Sequence, residues 1–175
     1  LPSSAGRTTM CPTELMYDKG SVPCIRLLPI ETRASGTGVA ELRGFAEEWT
    51  TIPLDIESPD KVAQALQHIA EIKKVSKETA QTLGLHIAEE ETQNGMHLAE
   101  DGMVEVPRWR HAIINFPHPL LDQGLVILDT PGLNALGTEP ELTLSLLPSA
   151  HAVLFILAAD TGVTKSDIQV WHDFI

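Results

Sequence analysis

The sequence predicts an α/β fold, in which helices cover a sheet, and three observations support this class. Residues 125–129 form an apolar run of strand type that ends on an aspartate and is followed by a Thr-Pro-Gly turn. Residues 150–160 are almost continuously apolar, which is typical of a central strand covered on both faces. An amphipathic stretch at residues 141–147 separates the two runs, and Thr-Lys-Ser-Asp at residues 164–167 indicates a helix start. Strand and helix therefore alternate as in an α/β sheet.

The aspartate that ends the first run, Asp129, has a specific chemical interpretation. A strand of this kind carries its last side chain to the rim of the sheet, and the turn then leads the chain away. In GTP-hydrolysing proteins of the P-loop class, an Asp-x-x-Gly element such as residues 129–132 lies beside the γ-phosphate. Asp129 would hold the Mg²⁺ shell through water, and Gly132 would leave a backbone N–H free to approach a phosphate oxygen. An ordinary strand and turn is the alternative, and the α/β order favours the phosphate site.

The composition of the chain excludes some classes of function. Its 175 residues are enough for one domain with a core of its own, and its hydrophobic fraction of 43% is that of an ordinary globular protein. The formal net charge of -12 argues against nucleic acid as a partner and against adhesion of this segment to anionic lipid. Acidic residues concentrate in residues 86–103, which we expect to form a solvated loop.

The two cysteines, Cys11 and Cys24, have no metal-ligand spacing. Residues 12–17 and 22–28 are expected to form a hairpin that places Leu15 near Cys24. Cys11 then lies about 13 Å further along the ladder at strand rise. This separation exceeds the roughly 7 Å that a disulfide can bridge between Cα atoms. We therefore expect two reduced thiols.

The first half of the chain is expected to be largely helical after the hairpin. One helix is predicted at about residues 39–49. Ser58, followed by Pro-Asp, is a strong N-cap signal, and apolar residues then recur on one face. The pattern predicts one long amphipathic helix over residues 59–83 that stops at Gly84.

A second pair of strands is expected near the Asp-x-x-Gly element. Residues 109–116 have strand composition, and the turn residues 122–124 lead from them into the run at 125–128. Two strands that lead through a turn into such an element are the arrangement of a small G domain. The helical and acidic segment at about residues 36–104 is then an insertion.

Two segments resemble the dynamin superfamily of large GTPases, and most of all the bacterial dynamin-like proteins. Residues 1–12, LPSSAGRTTMCP, resemble the switch I pattern Leu-Pro-x-x-x-Gly-x-x-Thr-x-x-Pro. Residues 129–132, followed by Ala-Asp at 159–160 and Thr-Lys-Ser-Asp at 164–167, resemble switch II, the next strand and the Ser-Asp-bearing helix. The order and separation of these segments are more specific than either motif alone.

The resemblance implies a P-loop NTPase-type G domain. This is a three-layer α/β/α fold with a mostly parallel sheet and an antiparallel hairpin, here incomplete over residues 1–175 and carrying the helical insertion. The sequence contains neither a Gly-x-x-x-x-Gly-Lys-Ser/Thr phosphate cradle nor an Asn-Lys-x-Asp guanine reader. In this family the cradle precedes switch I, and the reader follows the helix that begins at residue 164. We expect the chain to be an internal part of a longer protein and to be inactive on its own.

The resemblance implies that Thr9 is the catalytic switch I threonine. Its hydroxyl would ligate Mg²⁺, and its backbone would help to place the attacking water. Thr8 and Thr13 are alternatives for this role. Leu133 occupies the position where Ras-type GTPases have a water-orienting glutamine, so a Ras-like mechanism is not expected.

The remaining site residues are also implied by the resemblance. Gly132 is expected to take part in catalysis. The switch I carbonyls at the positions of Ser4 and Gly6 would hold a monovalent cation. The nucleotide-binding set is Gly6, Asp129, Thr130, Pro131 and Gly132.

The function that the resemblance implies is hydrolysis of GTP with Mg²⁺, coupled to membrane remodelling by the full-length protein. The G domains are expected to form a homodimer, and the membrane is expected to be contacted by regions outside this chain. The expected location is cytoplasmic, peripheral to the inner membrane of a bacterial cell. One alternative is another GTPase of the translation-factor class, related to the ribosome or tRNA. The other is a degenerate G domain that serves as an interaction module without hydrolysis.

Overall fold

The computed structural model describes residues 11–85, 103–130, 150–154, 156, 162–163, 168 and 171–172. Within them the chain forms a five-stranded sheet, a two-stranded sheet and short helices. The strands are β1 (Thr13–Met16), β2 (Cys24–Pro29), β3 (Thr50–Pro53), β4 (Ile72–Val75), β5 (Val104–Pro107), β6 (Trp109–Asn115) and β7 (Ile127–Asp129). The α-helices are α1 (Val39–Leu42), α2 (Pro59–Gln67) and α3 (Lys77–Thr82). Short 3₁₀ turns cover Ile30–Ser35, Ala46–Glu48, His68–Ala70 and Leu121–Gln123.

The main sheet is mixed, with the strand order β3-β2-β6-β1-β7. Only β1 and β6 run parallel, whereas β2 is antiparallel to β3 and to β6, and β7 is antiparallel to β1. The prediction of a mostly parallel sheet is therefore wrong for the part of the chain that the structure describes. The reason is that β2 runs back after the turn that follows β1, and β7 runs back after the turn that follows β6. Tight turns of this kind reverse the chain, and only long crossovers give parallel neighbours.

The two expected hairpins do not form, because in each of them a strand of the other pair lies between the two partners. Strand β6 lies between β1 and β2, and β1 lies between β6 and β7. The prediction that residues 12–17 pair directly with residues 22–28 is therefore wrong, although the strand predicted at residues 109–116 is confirmed as β6. The burial of β6 explains the order, since six of its seven residues are buried. A strand buried on both faces belongs in the interior of a sheet, where both of its edges are paired.

The long helix predicted over residues 59–83 is wrong, because β4 interrupts it. Both ends of the predicted helix are confirmed. Helix α2 follows the predicted N-cap at Ser58, and the last helical segment ends just before Gly84, whose φ of 68° is the left-handed conformation expected after a helix. Between these ends, β4 pairs antiparallel with β5. Ser76 then begins α3, and its hydroxyl accepts the Thr79 N–H at 3.1 Å. Pairing with a distant strand has thus overridden a helical pattern.

The helix predicted at residues 39–49 is also shorter than expected. It consists of α1 and a separate 3₁₀ turn, Ala46–Glu48. The predicted insertion at residues 36–104 is therefore helical only in part, because it also contains β3, β4 and the first residue of β5.

Helical segments cover both faces of the main sheet, as the α/β prediction requires. On one face, Ile25, Leu27, Ala112 and Ile114 form a core with side chains of the α2 segment, including Leu54, Leu66 and Ile69. On the other face, Leu28 and Ile113 pack with the α1 segment through Val39, Leu42 and Trp49. The two-stranded sheet and α3 bury a third cluster of Ile30, Val75, Ala80, Leu83, Leu85, Val104 and Val106.

The two apolar runs of the second half of the chain are less covered than expected. Strand β7 is the last strand of the described sheet, and Ile127 keeps 46% of its surface exposed. Residues 150–154 and 156 are irregular, and Leu154 is 86% exposed, so the described residues of the run at 150–160 do not form the predicted buried strand. Residues 168, 171 and 172 are helical, in agreement with the helix start predicted at residue 164. The predicted acidic loop falls outside the described residues except for Met103.

One charged group lies inside the core beneath α1. The Glu14 carboxylate accepts hydrogen bonds from His111 Nε2 at 2.8 Å and from Arg43 Nη2. His111 is fully buried, and the ring of Trp49 meets it edge-on with 6.3 Å between centroids. Burial raises the pKa of Glu14, but the hydrogen bonds and charge of His111 and Arg43 outweigh burial and hold this pKa below its ordinary value of 4.5.

A second buried polar residue, Asn115, holds the turn between β1 and β2. Its Oδ1 accepts the Asp18 N–H at 2.8 Å. Its Nδ2 donates to the carbonyls of Asp18 and Ser21 at 3.2 Å and of Val22 at 3.1 Å. Because Asn115 ends β6, these bonds bring the connection from β1 to β2 across the end of the strand that separates them.

We expect Glu14 to make the stability of the protein depend on pH. A carboxyl group with a lowered native pKa stabilises the fold above its unfolded pKa, and this contribution is lost as the pH falls through the native value. The difference in free energy of unfolding between the native protein and Glu14→Gln should be largest above about pH 5 and shrink below it. Denaturant unfolding at a series of pH values measures it, and a difference that does not vary with pH would contradict the expectation.

We expect Asn115→Ala to lower the free energy of unfolding by about 1–3 kcal/mol, because four backbone groups lose the one side chain that they share as a hydrogen-bond partner. Asn115→Asp is the sharper comparison, since it keeps the size of the side chain but turns an acceptor towards three carbonyls. It should destabilise at least as much as alanine in denaturant unfolding at neutral pH. An aspartate variant as stable as the native protein would show that the three donated bonds do not matter.

Candidate functional site

The candidate site begins with Asp129, the last residue of β7, which is half-buried. The next residue, Thr130, is also half-buried and lies outside regular structure. In the ladder between β1 and β7, Asp129 lies directly opposite Thr13. The carboxylate predicted to bind nucleotide thus lies beside the start of β1. That start is the strand residue closest in sequence to residues 1–10.

The turn before β7 sets this placement. The 3₁₀ turn Leu121–Gln123 is anchored by buried Leu121 and ends at Gly124, whose φ of 88° reverses the chain. Lys19 reaches Asp122 of this turn with 2.7 Å between Nζ and Oδ1. The turn after β1 and the turn before β7, at the opposite end of β7 from Asp129, are therefore joined by a surface ion pair, which orients them more than it stabilises them.

Thr13 is a weak candidate for a metal ligand. Its side chain is only 2% exposed, and its hydroxyl donates to the Cys11 carbonyl at 3.0 Å. Directly opposite residues of an antiparallel pair project to the same face, so Thr13 shares a face with Asp129. Its hydroxyl is nevertheless committed to its own backbone. Of the three threonines weighed for the switch I role, Thr13 is the one that the structure disfavours.

The other predicted site residues lie outside the described residues. These are Gly6, Thr9, Pro131 and Gly132, together with Ser4 and Thr8. Their roles remain predictions. Of the predicted site residues, the structure therefore describes Asp129 and Thr130, and it brings Asp129 next to the strand that follows residues 1–10.

Both cysteines are free, as expected, and both are buried, although the direct pairing of residues 12–17 with residues 22–28 from which their separation was argued is wrong. Burial raises the pKa of Cys11 to about 12, although a hydrogen bond with Thr13 acts in the opposite direction. The thiol is therefore protonated at neutral pH and is neither a nucleophile nor a metal ligand. Cys11 belongs to the apolar core next to the site and has a packing role.

The donors at this end of the sheet suit Mg²⁺ bound together with a nucleotide. Asp129 offers hard carboxylate oxygens at a half-buried strand end. Mg²⁺ usually takes one or two protein carboxylates and completes its shell with water and substrate phosphates. In the part of the chain that the structure describes, no group of three or more His, Cys, Asp or Glu side chains is arranged to hold a metal. A single carboxylate fits a metal that arrives with its phosphates.

The sequence interpretation missed the charged group of Glu14, His111 and Arg43. Glu14 follows Thr13 in β1, so this group lies immediately behind the ladder that carries Asp129, on the opposite face of the sheet. One signal was present in the sequence. A glutamate inside a short strand that is flanked by apolar residues needs either solvent or a cation, and the strand is largely buried.

None of the helices in the described ranges combines the length and the apolar character that a bilayer crossing requires.

Comparison with known proteins places the chain in a family. Residues 1–173 match the family model of the Dynamin family. The chain is 32% identical over 65 residues to a bacterial dynamin-like protein of Nostoc punctiforme, an alignment that covers 37% of this chain and 9% of that protein. It is 43% identical over 60 residues to the isoniazid-induced protein IniA of Mycobacterium tuberculosis, covering 33% of this chain and 9% of that protein.

These matches have two consequences. The chain aligns with only 9% of the length of each of these curated relatives, so the activity of a whole protein is not described by this segment alone. The family model, in contrast, covers nearly all of the chain, which confirms the resemblance drawn from residues 1–12 and 129–132. A dynamin-type G domain has a P-loop NTPase fold and binds guanine nucleotide. The chain, with its mixed sheet and a half-buried aspartate at the end of β7, belongs to the dynamin family.

Proposed function

We propose that the full-length protein hydrolyses GTP at a site to which this chain contributes Asp129 and Thr9. The observation that supports this most directly is the register of β1 and β7, in which Thr13 lies opposite Asp129. Thr9 precedes Thr13 by four residues, and four residues of fully extended chain span at most about 14 Å. A loop that leads into β1 is therefore short enough to bring the Thr9 hydroxyl to the end of β7.

Each residue has a distinct role in this proposal. Asp129 would hold Mg²⁺ through hydrogen bonds from its water shell, and the ion would supply positive charge to offset the negative charge of the nucleotide phosphates. The Thr9 hydroxyl would be a direct ligand, and the Thr9 backbone would hold the attacking water. Gly132 presents its N–H to the γ-phosphate, since the absence of a side chain allows close approach. Thr130 and Pro131 shape the turn between Asp129 and Gly132.

The attacking water must be oriented without a side chain from the residue after Gly132. Leu133 has no group that can accept or donate a hydrogen bond. Orientation would then fall to the backbone of Thr9 and to a monovalent cation, which the backbone near Gly6 would hold. A cation in that position also adds positive charge where negative charge develops during phosphoryl transfer.

We further propose that hydrolysis is coupled to membrane remodelling through a homodimer of G domains. The support is membership of the dynamin family and the similarity to a protein named bacterial dynamin-like protein. The net charge of -12 makes this chain a poor contact for an anionic membrane surface. Membrane contact is therefore assigned to other parts of the full-length protein, which would lie at the cytoplasmic side of the inner membrane. The chain on its own is expected to be inactive.

The alternative of a ribosome-related or tRNA-related GTPase is not favoured, because the chain matches the family model of the Dynamin family and a relative named bacterial dynamin-like protein. A degenerate G domain without hydrolysis is the remaining competitor, and the two experiments that follow separate it from the proposed enzyme.

Thr9→Ala in the full-length protein should abolish GTP turnover while leaving GDP binding within about twofold of the native value. The threonine contact exists only when the γ-phosphate is present, so the product complex does not use it. Phosphate release measures turnover, and a fluorescent GDP titration measures binding. Thr51→Ala is the matched control, since it removes an exposed threonine from β3 at the far edge of the sheet. Turnover that survives in Thr9→Ala would overturn the switch I assignment.

Asp129→Asn should raise the Mg²⁺ concentration needed for half-maximal turnover by about 10–100-fold. The carboxylate orients water ligands rather than the metal itself, and loss of such an outer contact has this typical effect. Titration of Mg²⁺ at saturating GTP measures it. Asp122→Asn, which removes a carboxylate from the surface ion pair at the opposite end of β7, should leave the Mg²⁺ requirement unchanged. Equal Mg²⁺ curves for Asp129→Asn and the native protein would exclude Asp129 from the metal shell.

A further inference from the structure

We propose that the ion pair of Arg43 with Glu14, supported by His111, locks the register of β1 in the sheet and makes Arg43 a positioning residue for Asp129. Arg43 follows α1, far in sequence from both nucleotide segments, and it contacts neither of them in the described part of the chain. Its influence on Asp129 runs through a single strand. The part of this inference that concerns turnover rests on the proposed function, whereas the lock itself does not.

Strand β1 is the element whose register most needs to be specified. It has four residues, and it pairs with β6 on one side and β7 on the other. A shift by one residue turns every side chain of a strand to the opposite face. The sequence Thr-Glu-Leu-Met does not alternate between apolar and polar residues, so its hydrophobic pattern specifies the face only weakly.

Glu14 determines the register of β1, because its carboxylate is stabilised on only one face of the sheet. In the observed register, Thr13 faces the side of Asp129, and Leu15 packs against the core that contains Cys11 and Ala112. Glu14 faces the α1 side, where its two hydrogen-bond partners, His111 and Arg43, lie. After a shift by one residue, the Glu14 carboxylate would enter the apolar core on the face of Asp129. It would lose both partners and approach a like charge, and each of these changes is unfavourable.

The two partners of Glu14 come from different elements, and each has further contacts that orient it. His111 belongs to β6, and its Nδ1 is buried with no hydrogen-bond partner in the described part of the chain. Because Nδ1 has no group to which it could donate a hydrogen bond, the proton lies on Nε2, and Nε2 donates it in the hydrogen bond to Glu14. The His111 ring is thus oriented by the carboxylate on one side and by the edge of Trp49 on the other.

Arg43 connects this group to the α1 segment. Its carbonyl accepts a hydrogen bond from Arg26 Nη2 at 3.4 Å, and the Arg26 guanidinium stacks 4.7 Å from the centroid of Trp49. The indole N–H of Trp49 donates to the Leu42 carbonyl at 2.8 Å. The Arg43 side chain is 40% exposed, whereas Glu14 and His111 are buried. Arg43 is therefore the member of the group that a movement of the α1 segment would withdraw.

Withdrawal of Arg43 leaves the buried Glu14 carboxylate with His111 as its one remaining side-chain partner among the described residues. Loss of one member of a fully buried ion pair is strongly destabilising, but Arg43 is 40% exposed and solvent screens the pair, so we expect a destabilisation of about tenfold in the folding equilibrium. The effect should concentrate in β1 and in β7, because β7 has no other strand beside it among the described residues. The separate sheet of β4 and β5 contains none of these groups and serves as an internal reference.

Amide hydrogen exchange of the full-length protein tests the lock by mass spectrometry. In Arg43→Ala, peptides of β1 and β7 should exchange at least about tenfold faster than in the native protein, while peptides of β4 and β5 remain unchanged. Arg43→Lys, which keeps a cation, should retain most of the protection and covers the case in which the alanine variant does not fold. Lys61→Ala breaks an exposed pair with Asp55 and should change nothing. Equal acceleration in both sheets, or none in β1 and β7, would overturn the lock.

Steady-state kinetics of GTP hydrolysis test the positioning role. Arg43→Ala should lower kcat by about tenfold or more with little change in KM, since a displaced Asp129 affects the reacting phosphate more than it affects nucleotide binding. Arg43→Lys should restore most of kcat. If β1 and β7 lose protection while kcat is unchanged, Arg43 is not a positioning residue. If the native protein itself does not turn over GTP, the proposed function fails, and hydrogen exchange still decides the lock.

Discussion

The position of β6 is the constraint on which the rest of the described fold depends. Its residues are buried on both faces, so it has to be covered by helical segments above and below and paired along both edges. Strands β1 and β2 occupy those edges, and β7 and β3 extend the sheet outwards from them. The α1 and α2 segments bury the two faces. The order of the strands in the sheet therefore follows from β6, because neither of its faces can be left exposed to solvent.

Sequence reasoning succeeded where local chemistry decides the conformation. Gly84 and Gly124 end their segments with positive φ, Ser58 precedes a helix, and residues 109–116 contain a strand. It failed where a distant partner decides. Residues 72–75 fit a helical stripe and a short strand equally well, and only the pairing with β5, some thirty residues later, selects the strand. The same holds for the hairpins, since no local signal shows that β6 separates β1 from β2.

The candidate site divides in the same way. Asp129 was predictable because a carboxylate at the end of an apolar strand is a local pattern, and its register against Thr13 was not, because it depends on the placement of β1. The group of Glu14, Arg43 and His111 comes from three separated parts of the sequence, and no local pattern connects the glutamate in its short strand with the other two residues. The three residues form a group only because the fold brings them together, and a single sequence does not show which distant residues come into contact.

Charge connects the fold to the proposed chemistry. A chain with a formal net charge of -12 repels a nucleotide triphosphate at long range, so attraction to phosphate has to come from local positive charge. Asp129 adds another negative charge at the very place where phosphate is proposed to bind. A carboxylate there is useful only if a cation stands between it and the phosphate, as Mg²⁺ does in phosphoryl transfer. Asp129 then acts by holding that cation in one position, which requires the end of β7 to be held equally well. On the proposed mechanism, precise register of β1 and β7 is thus a requirement of the chemistry, and the ion pair that we propose to specify this register would contribute to function as well as to stability.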